Sequence, residues 1–182
     1  MKFHKQPILP AVRRLKDLEK LMHSPYEYLV LLDSHIGQLK SIVELTNRHN
    51  KKLLLHIDLV EGLKNDEYAA EYVSQSIRPA GLISTRAGVI LKAKQNGLLA
   101  IQRLFLLDSS ALEKSYTLLE RTKPDYIEVL PGVMPHIIRE VHERSGIPIF
   151  AGGLIRTISE VEKAIEAGAA AVTTSRPELW AH

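Results

Sequence analysis

The feature that most constrains what this chain can fold into is an alternation repeated eight times. A short apolar run rich in β-branched residues is followed by a longer segment of helical period. Glycine marks several helix ends, at Asn96-Gly97, Ser145-Gly146 and Ala167-Gly168, and a strand follows at once in each case. Reading outward from these anchors predicts strands at 8–11, 28–32, 53–58, 81–84, 98–103, 126–130, 148–151 and 170–174. Helices follow the first seven; the last unit has room only for a short turn in 177–182. Strict β–α alternation implies a parallel sheet. Eight units favour closure into a compact (β/α)8 TIM-type barrel with a truncated last helix, and an open doubly wound sheet is the alternative. At ~23 residues per unit such a barrel is small against a typical length of about 250 residues.

Helix periodicity agrees. In the first helix Leu15, Leu18 and Met22 share one face, and Arg13, Lys16 and Lys20 share the opposite one. In the seventh, Ile158, Val161 and Ile165 repeat at helical spacing. Thr157-x-x-Glu160 and Ser110-x-x-Glu113 read as capping boxes. No linker or low-complexity stretch interrupts the pattern, so residues 1–182 read as a single domain.

Composition narrows the class. Hydrophobic residues make up 45% and charged residues 25%, an ordinary globular balance. No apolar run reaches the roughly 18 residues of a membrane span, and the N-terminus lacks the apolar core of a signal peptide. Cysteine is absent, which excludes disulfides and thiolate metal sites and points to the cytoplasm. Net charge is +3 but uneven: residues 1–20 hold six basic and two acidic side chains. That patch could meet a polyanion or be a solvated helix face.

In a parallel barrel, ligands bind at the C-terminal ends of the strands. Along the third strand Leu53, Leu55 and Ile57 suit the helix-facing side. Leu54, His56 and Asp58 alternate with them, which aims His56 and Asp58 at the interior near the mouth. Asp33 ends the second strand, and Ser84-Thr85-Arg86 ends the fourth. Gln102 shares a face with Ala100 in the fifth, with Arg103 beside it, and Glu128 shares a face with Leu130 in the sixth. Such a convergent ring predicts a ligand site. The loops after strands seven and eight, Ala151-Gly152-Gly153-Leu154-Ile155-Arg156 and Thr173-Thr174-Ser175-Arg176-Pro177, stand where many barrels hold a phosphate. Glycine lets backbone N–H groups approach the anion, Ser175 adds a hydroxyl donor, and the start of a short helix adds positive potential.

Taken in order, these motifs resemble the glycerol-3-phosphate-responsive antiterminator family of glycerol-uptake operons, from about Pro7 to Trp180. They are His56-Ile57-Asp58-Leu59 with Glu61-Gly62-Leu63, Ile83-Ser84-Thr85-Arg86, and Ile101-Gln102-Arg103-Leu104-Phe105 with Asp108-Ser109. Glu128-Val129-Leu130-Pro131-Gly132, Ala151-Gly152-Gly153-Leu154-Ile155 and Thr174-Ser175 complete the set. Arg86 departs from the pattern, in which lysine is expected; charge is kept, but a guanidinium fork bonds anions differently.

The resemblance implies a regulator without catalytic residues or cofactor. Glycerol 3-phosphate would be its effector and the untranslated leader of an mRNA its partner, with termination prevented. The expected phosphate contacts are Gly152, Gly153, Ser175 and Arg176. The expected glycerol contacts are Asp33, His56, Asp58, Gln102 and Glu128, with Ser84, Arg86 and Arg103 as further mouth candidates. RNA is expected on Arg13, Lys16 and Lys20, near Lys2, Lys5 and Arg14, or failing that on Arg86, Arg103, Arg156 and Arg176 around the mouth. A homo-oligomer stays open.

The alternative is a barrel enzyme, an isomerase or lyase, acting on a small phosphorylated substrate, with His56, Asp58 and Glu128 as acid–base groups. No lysine falls at a predicted strand end, which disfavours a Schiff-base aldolase. No His-x-x-x-His motif supports a metal, and a helix-turn-helix or aromatic RNA platform is also missing.

Overall fold

A computed structural model describes residues 6–181. Eight parallel strands close into a barrel: β1 (Ile8–Val12), β2 (Tyr28–Leu31), β3 (Lys52–His56), β4 (Gly81–Ser84), β5 (Leu99–Phe105), β6 (Tyr126–Leu130), β7 (Ile149–Gly152) and β8 (Ala169–Thr174). Each strand pairs with its sequence neighbours, and β1 pairs with β8, so no sheet edge is left free. The helices are α1 (Leu15–Leu21), α2 (Ile36–Arg48), α3 (Glu67–Tyr72), α4 (Ala87–Gln95), α5 (Ser109–Thr122), α6 (Pro135–Ser145), α7 (Ile158–Glu166) and α8 (Pro177–Trp180). The fold is a (β/α)8 TIM barrel whose last helix has four residues. Two-residue strands Ser34–His35 and Val60–Glu61 pair with each other outside the barrel.

Strand alternation sorts the apolar side chains into two layers. Leu9, Val30, Leu54, Ile83, Ile101, Phe150 and Ala171 fill the barrel, with Tyr126 stacked on Phe150 at 4.6 Å. Leu29, Leu53, Leu55, Leu82, Ile127, Val129 and Val172 pack outward beneath the helices. The interior is therefore a packed core and not a pore. Removing Phe150, which is fully buried, would cost about 3–5 kcal/mol.

Several local expectations fail for identifiable reasons. β3 stops at His56, and Ile57–Leu59 form a 3-10 turn, so Asp58 leaves the strand. α7 carries its capping box: Thr157 accepts from the Glu160 N–H, and the Glu160 carboxylate accepts from the Thr157 N–H at 3.0 Å. α5 does not carry the Ser110–Glu113 box. Its chain turns two residues earlier, where the Asp108 carboxylate accepts from the Ala111 N–H at 2.8 Å. Glu113 instead bonds Arg144, whose guanidinium lies over the Tyr116 ring. In α1, Leu18 and Met22 are buried, but Leu15 is 42% exposed because it opens the helix at the mouth side.

Candidate functional site

Strand alternation also builds the floor of the mouth. His56 follows Leu54 inward, Arg103 follows Ile101, Glu128 follows Tyr126, Gly152 follows Phe150, and Thr173 follows Ala171. The Arg103 Nη1 meets the His56 Nε2, and the Arg103 Nε stands 3.3 Å from the Glu128 Oε2. Thr173 Oγ1 donates to the Glu128 Oε1 at 2.7 Å. Gly152 is required here, because a Cβ would come within 2.8 Å of the Glu128 Oε1. Burial and the Arg103 charge push the His56 pKa down to about 4, so its ring is neutral at pH 7. Burial pushes the Glu128 carboxyl up, against the pull of Arg103 and the Thr173 hydroxyl. The Arg103–Glu128 contact is close in distance but not aligned as a hydrogen bond, and His56 Nδ1, Arg103 Nε and Glu128 Oε2 are buried without one. Polar atoms left this way have bonding capacity to offer a ligand.

Above this floor lies a cavity of about 330 Å3. Arg13, Arg103, Arg156 and Arg176 line it, and Glu128 is its one carboxylate among the described residues. The loop after β7 enters with two consecutive left-handed residues, Gly153 at φ 77° and Leu154 at φ 62°. Glycine takes that conformation freely, whereas leucine does so at about 1 kcal/mol. The loop after β8 is tied down by Arg176 N–H to Thr174 Oγ1 at 3.2 Å and by Trp180 Nε1–H to the Thr174 carbonyl at 2.9 Å. Thr173, Thr174 and Ser175 face the same space. α8 is too short to carry much dipole, so the positive potential comes from the guanidinium groups. An arginine-rich cavity of this size with a hydroxyl wall suits a small organic phosphate.

Comparison with known proteins gives the family and the fold. The family described as "Glycerol-3-phosphate responsive antiterminator" matches residues 8–180. The chain belongs to this family. Its fold matches the crystal structure of a glycerol uptake operon antiterminator regulatory protein from Listeria monocytogenes str. 4b F2365 at TM-score 0.97 and 46% identity, covering 100% of this chain and 98% of that one. A glycerol uptake operon antiterminator-related protein from Thermotoga maritima MSB8 matches at TM-score 0.85 and 28% identity, over 97% and 99% of the two chains. The Escherichia coli (strain K12) protein YgcP, named as uncharacterized, is 30% identical over 174 residues, 96% of this chain and 91% of its own length. A solved aldolase at 15% identity and TM-score 0.73 shares the barrel, which shows the fold alone.

In this antiterminator-family chain the expected site residues divide. Gly153, Ser175, Arg176, Glu128 and Arg103 line the cavity. Gly152 lies behind it, making room for Glu128, and His56 reaches it only through Arg103. Asp33 is held by an ion pair with Arg13 at 2.5 Å. Asp58 is occupied: it accepts from Ser84 Oγ, from the Thr85 N–H at 2.8 Å and from Thr85 Oγ1 at 3.0 Å. Gln102 shares the outward face with Ala100 and Leu104, is fully buried, and donates from Nε2 to the carbonyls of Ser84 and Thr85, with its Oε1 unpartnered, so it stands outside the cavity lining. Ser84 faces outward likewise, after Leu82, and Arg86 is exposed at the start of α4, outside the cavity lining.

The basic stripe on the first helix also needs correcting. Arg13 precedes α1 and lines the mouth, Arg14 and Lys20 share Asp17, and Lys16 is exposed on the outer wall. Lys2 and Lys5 lie outside the described residues. Thr173 and Arg156 line the cavity too, although neither is among the expected phosphate or glycerol contacts. Both stand at strand ends or in the loops after them, the same signal that found Ser175 and Arg176. Among the described residues no group of three His, Asp or Glu side chains is placed to hold a metal, and no helix is long and apolar enough to cross a membrane.

Proposed function

We propose that this protein is a glycerol-3-phosphate-responsive regulator that binds the leader of a glycerol-utilisation mRNA and prevents transcription termination. One observation carries the effector assignment: the mouth cavity with four arginines around a single buried carboxylate. A phosphate dianion belongs on the arginine side, with the Gly153 backbone, the Ser175 hydroxyl and Arg176 as its contacts. The glycerol hydroxyls belong on the floor, where Glu128 Oε2 has no hydrogen bond and Thr173 and Arg103 stand beside it. A carboxylate accepts from hydroxyls and repels phosphate, so the two ends of the ligand are told apart.

The antiterminator family supports regulation over catalysis. The barrel is shared with aldolases, but no lysine lines this cavity to form a Schiff base. The proposal places the protein in the cytoplasm, with RNA as its second partner. The test is binding of the leader RNA with and without glycerol 3-phosphate across a salt series. RNA affinity is expected to rise with the effector and to fall as salt rises, because cations on the protein displace counterions from the RNA. RNA binding indifferent to glycerol 3-phosphate would contradict the sensor reading.

A further inference from the structure

The rim of the mouth carries an apolar surface in which Phe105 and Leu107 lie outside the effector cavity and Leu154 borders it. Phe105 ends β5 and is 50% exposed, Leu107 follows at 80%, and Leu154, after β7, is 59% exposed. Large apolar side chains grouped at one end of a barrel mark a contact surface. The Arg103 guanidinium lies 5.1 Å from the centre of the Phe105 ring, which joins this surface to the cavity floor. Exposed cations flank it. Arg86 follows β4, the strand beside β5, and Arg156 follows β7 at the edge of the cavity, which it also lines; neither guanidinium has an ion pair among the described residues. The neighbouring acidic groups are mostly committed: Asp33 to Arg13, Asp108 to the cap of α5, and Glu160 to the cap of α7. Glu61, Glu67 and Glu178 are the exposed exceptions, and the Glu67 carboxylate lies beside Gly88, two residues after Arg86.

Guanidinium groups interleaved with a flat ring and apolar side chains match the chemistry of single-stranded nucleic acid, whose phosphates take the cations and whose unpaired bases stack. A continuous helix face of lysines would fit duplex phosphates instead, and α1 does not supply one. We propose that an unpaired stretch of RNA crosses the barrel mouth, its bases on Phe105 and Leu107 and its phosphates on Arg86 and Arg156. This rests on the regulator reading above and adds the surface and the coupling. RNA on this rim roofs the effector cavity, so the two ligands meet directly and no signal has to travel to the outer wall. Each must then raise the affinity of the other by the same factor.

The experiment measures leader-RNA binding by fluorescence anisotropy, with and without glycerol 3-phosphate, for the full chain and for Phe105→Ala, Leu107→Ser and Lys16→Ala/Lys20→Ala. A fully paired hairpin of equal length serves as the second probe. Phe105→Ala is expected to weaken leader-RNA binding roughly tenfold. Leu107→Ser should also weaken RNA binding and should leave glycerol 3-phosphate affinity in the absence of RNA unchanged, because Leu107 does not line the cavity; Phe105→Ala, whose ring packs on Arg103, is read for RNA alone. The lysine variant should bind as the parent does, and the paired hairpin should bind more weakly than the leader. Three results would overturn the rim proposal while the regulator reading stands. They are full RNA affinity in both rim variants, loss of RNA affinity in the lysine variant alone, and a rim-dependent dimer with RNA binding intact in Phe105→Ala. No RNA binding by the parent protein would overturn both.

Discussion

Two arcs of the barrel mouth carry polar side chains of similar kind and use them in opposite ways. After β3, β4 and β5 most of the polar groups bond one another away from the cavity: Asp58 accepts from Ser84 and twice from Thr85, and Gln102 Nε2 donates to the carbonyls of the same two residues, while Gln102 Oε1 and His56 Nδ1 are buried without a partner. After β7, β8 and β1 they open onto space, with Gly153, Ser175, Arg176, Arg156 and Arg13 around the cavity. Arg103 and Glu128 stand at the boundary, in contact with each other and with hydrogen-bonding capacity unused. Density of polar residues therefore does not mark a site. What marks it is polar capacity that opens onto a cavity, because a group bonded or walled in by the fold has little to offer a ligand.

The largest effect separating the arcs is expected at Asp58. Asp58→Ala removes the acceptor for three donors, and its cost in urea-induced unfolding should be about 3 kcal/mol. Glycerol 3-phosphate affinity of the folded fraction should stay close to that of the parent. A collapse of affinity at unchanged stability would move Asp58 into the binding arc and break the comparison. Ser175→Asp should behave in the opposite way. Its side chain is exposed on the cavity, so stability should hold, while a like charge beside the phosphate weakens binding by about 1–3 kcal/mol. Unchanged affinity would place the phosphate elsewhere.

A smaller effect sharpens the boundary. The His56 pKa falls from its ordinary value of about 6.5 to about 4 on folding. Protonation therefore favours the unfolded chain. The stability held by neutral His56 is fully present above the unfolded value and is lost as pH falls from there toward 4. Between pH 7 and pH 5.5 the parent should lose about 1 kcal/mol more stability than His56→Gln. Glu128, with its pKa raised, acts in the other sense and gains stability for the fold as pH falls through its folded value, but it is common to both proteins and cancels in the difference. Parallel pH profiles for the two would show that His56 is not held neutral beneath the arginine.

Much of this was legible in the sequence, and the failures have physical causes. Alternation along Leu53–Leu54–Leu55–His56 gave the right faces, because period two survives wherever both faces of a strand are buried. The Thr157 cap was readable because both partners of the box lie within four residues. The face of Gln102 is not legible in the sequence, because a buried, outward amide has the same appearance as an inward one until the carbonyls of Ser84 and Thr85 are placed beside it. Arg13 was misread because helical period was extended two residues too early; the start of α1 is set by where β1 ends, and that leaves Arg13 in the loop beside Asp33. Thr173 was missed as a site residue because its role depends on Glu128, 45 residues away in the chain.

On the proposed function, the open arc and the floor together recognise both ends of a phosphorylated polyol. Calorimetric titration of the parent protein with glycerol 3-phosphate, glycerol and inorganic phosphate tests it. Glycerol 3-phosphate should bind at least about tenfold more tightly than either fragment, since each fragment forgoes the hydrogen bonds of the other end. Inorganic phosphate binding as tightly as glycerol 3-phosphate would reduce the cavity to a general anion site and contradict the claim.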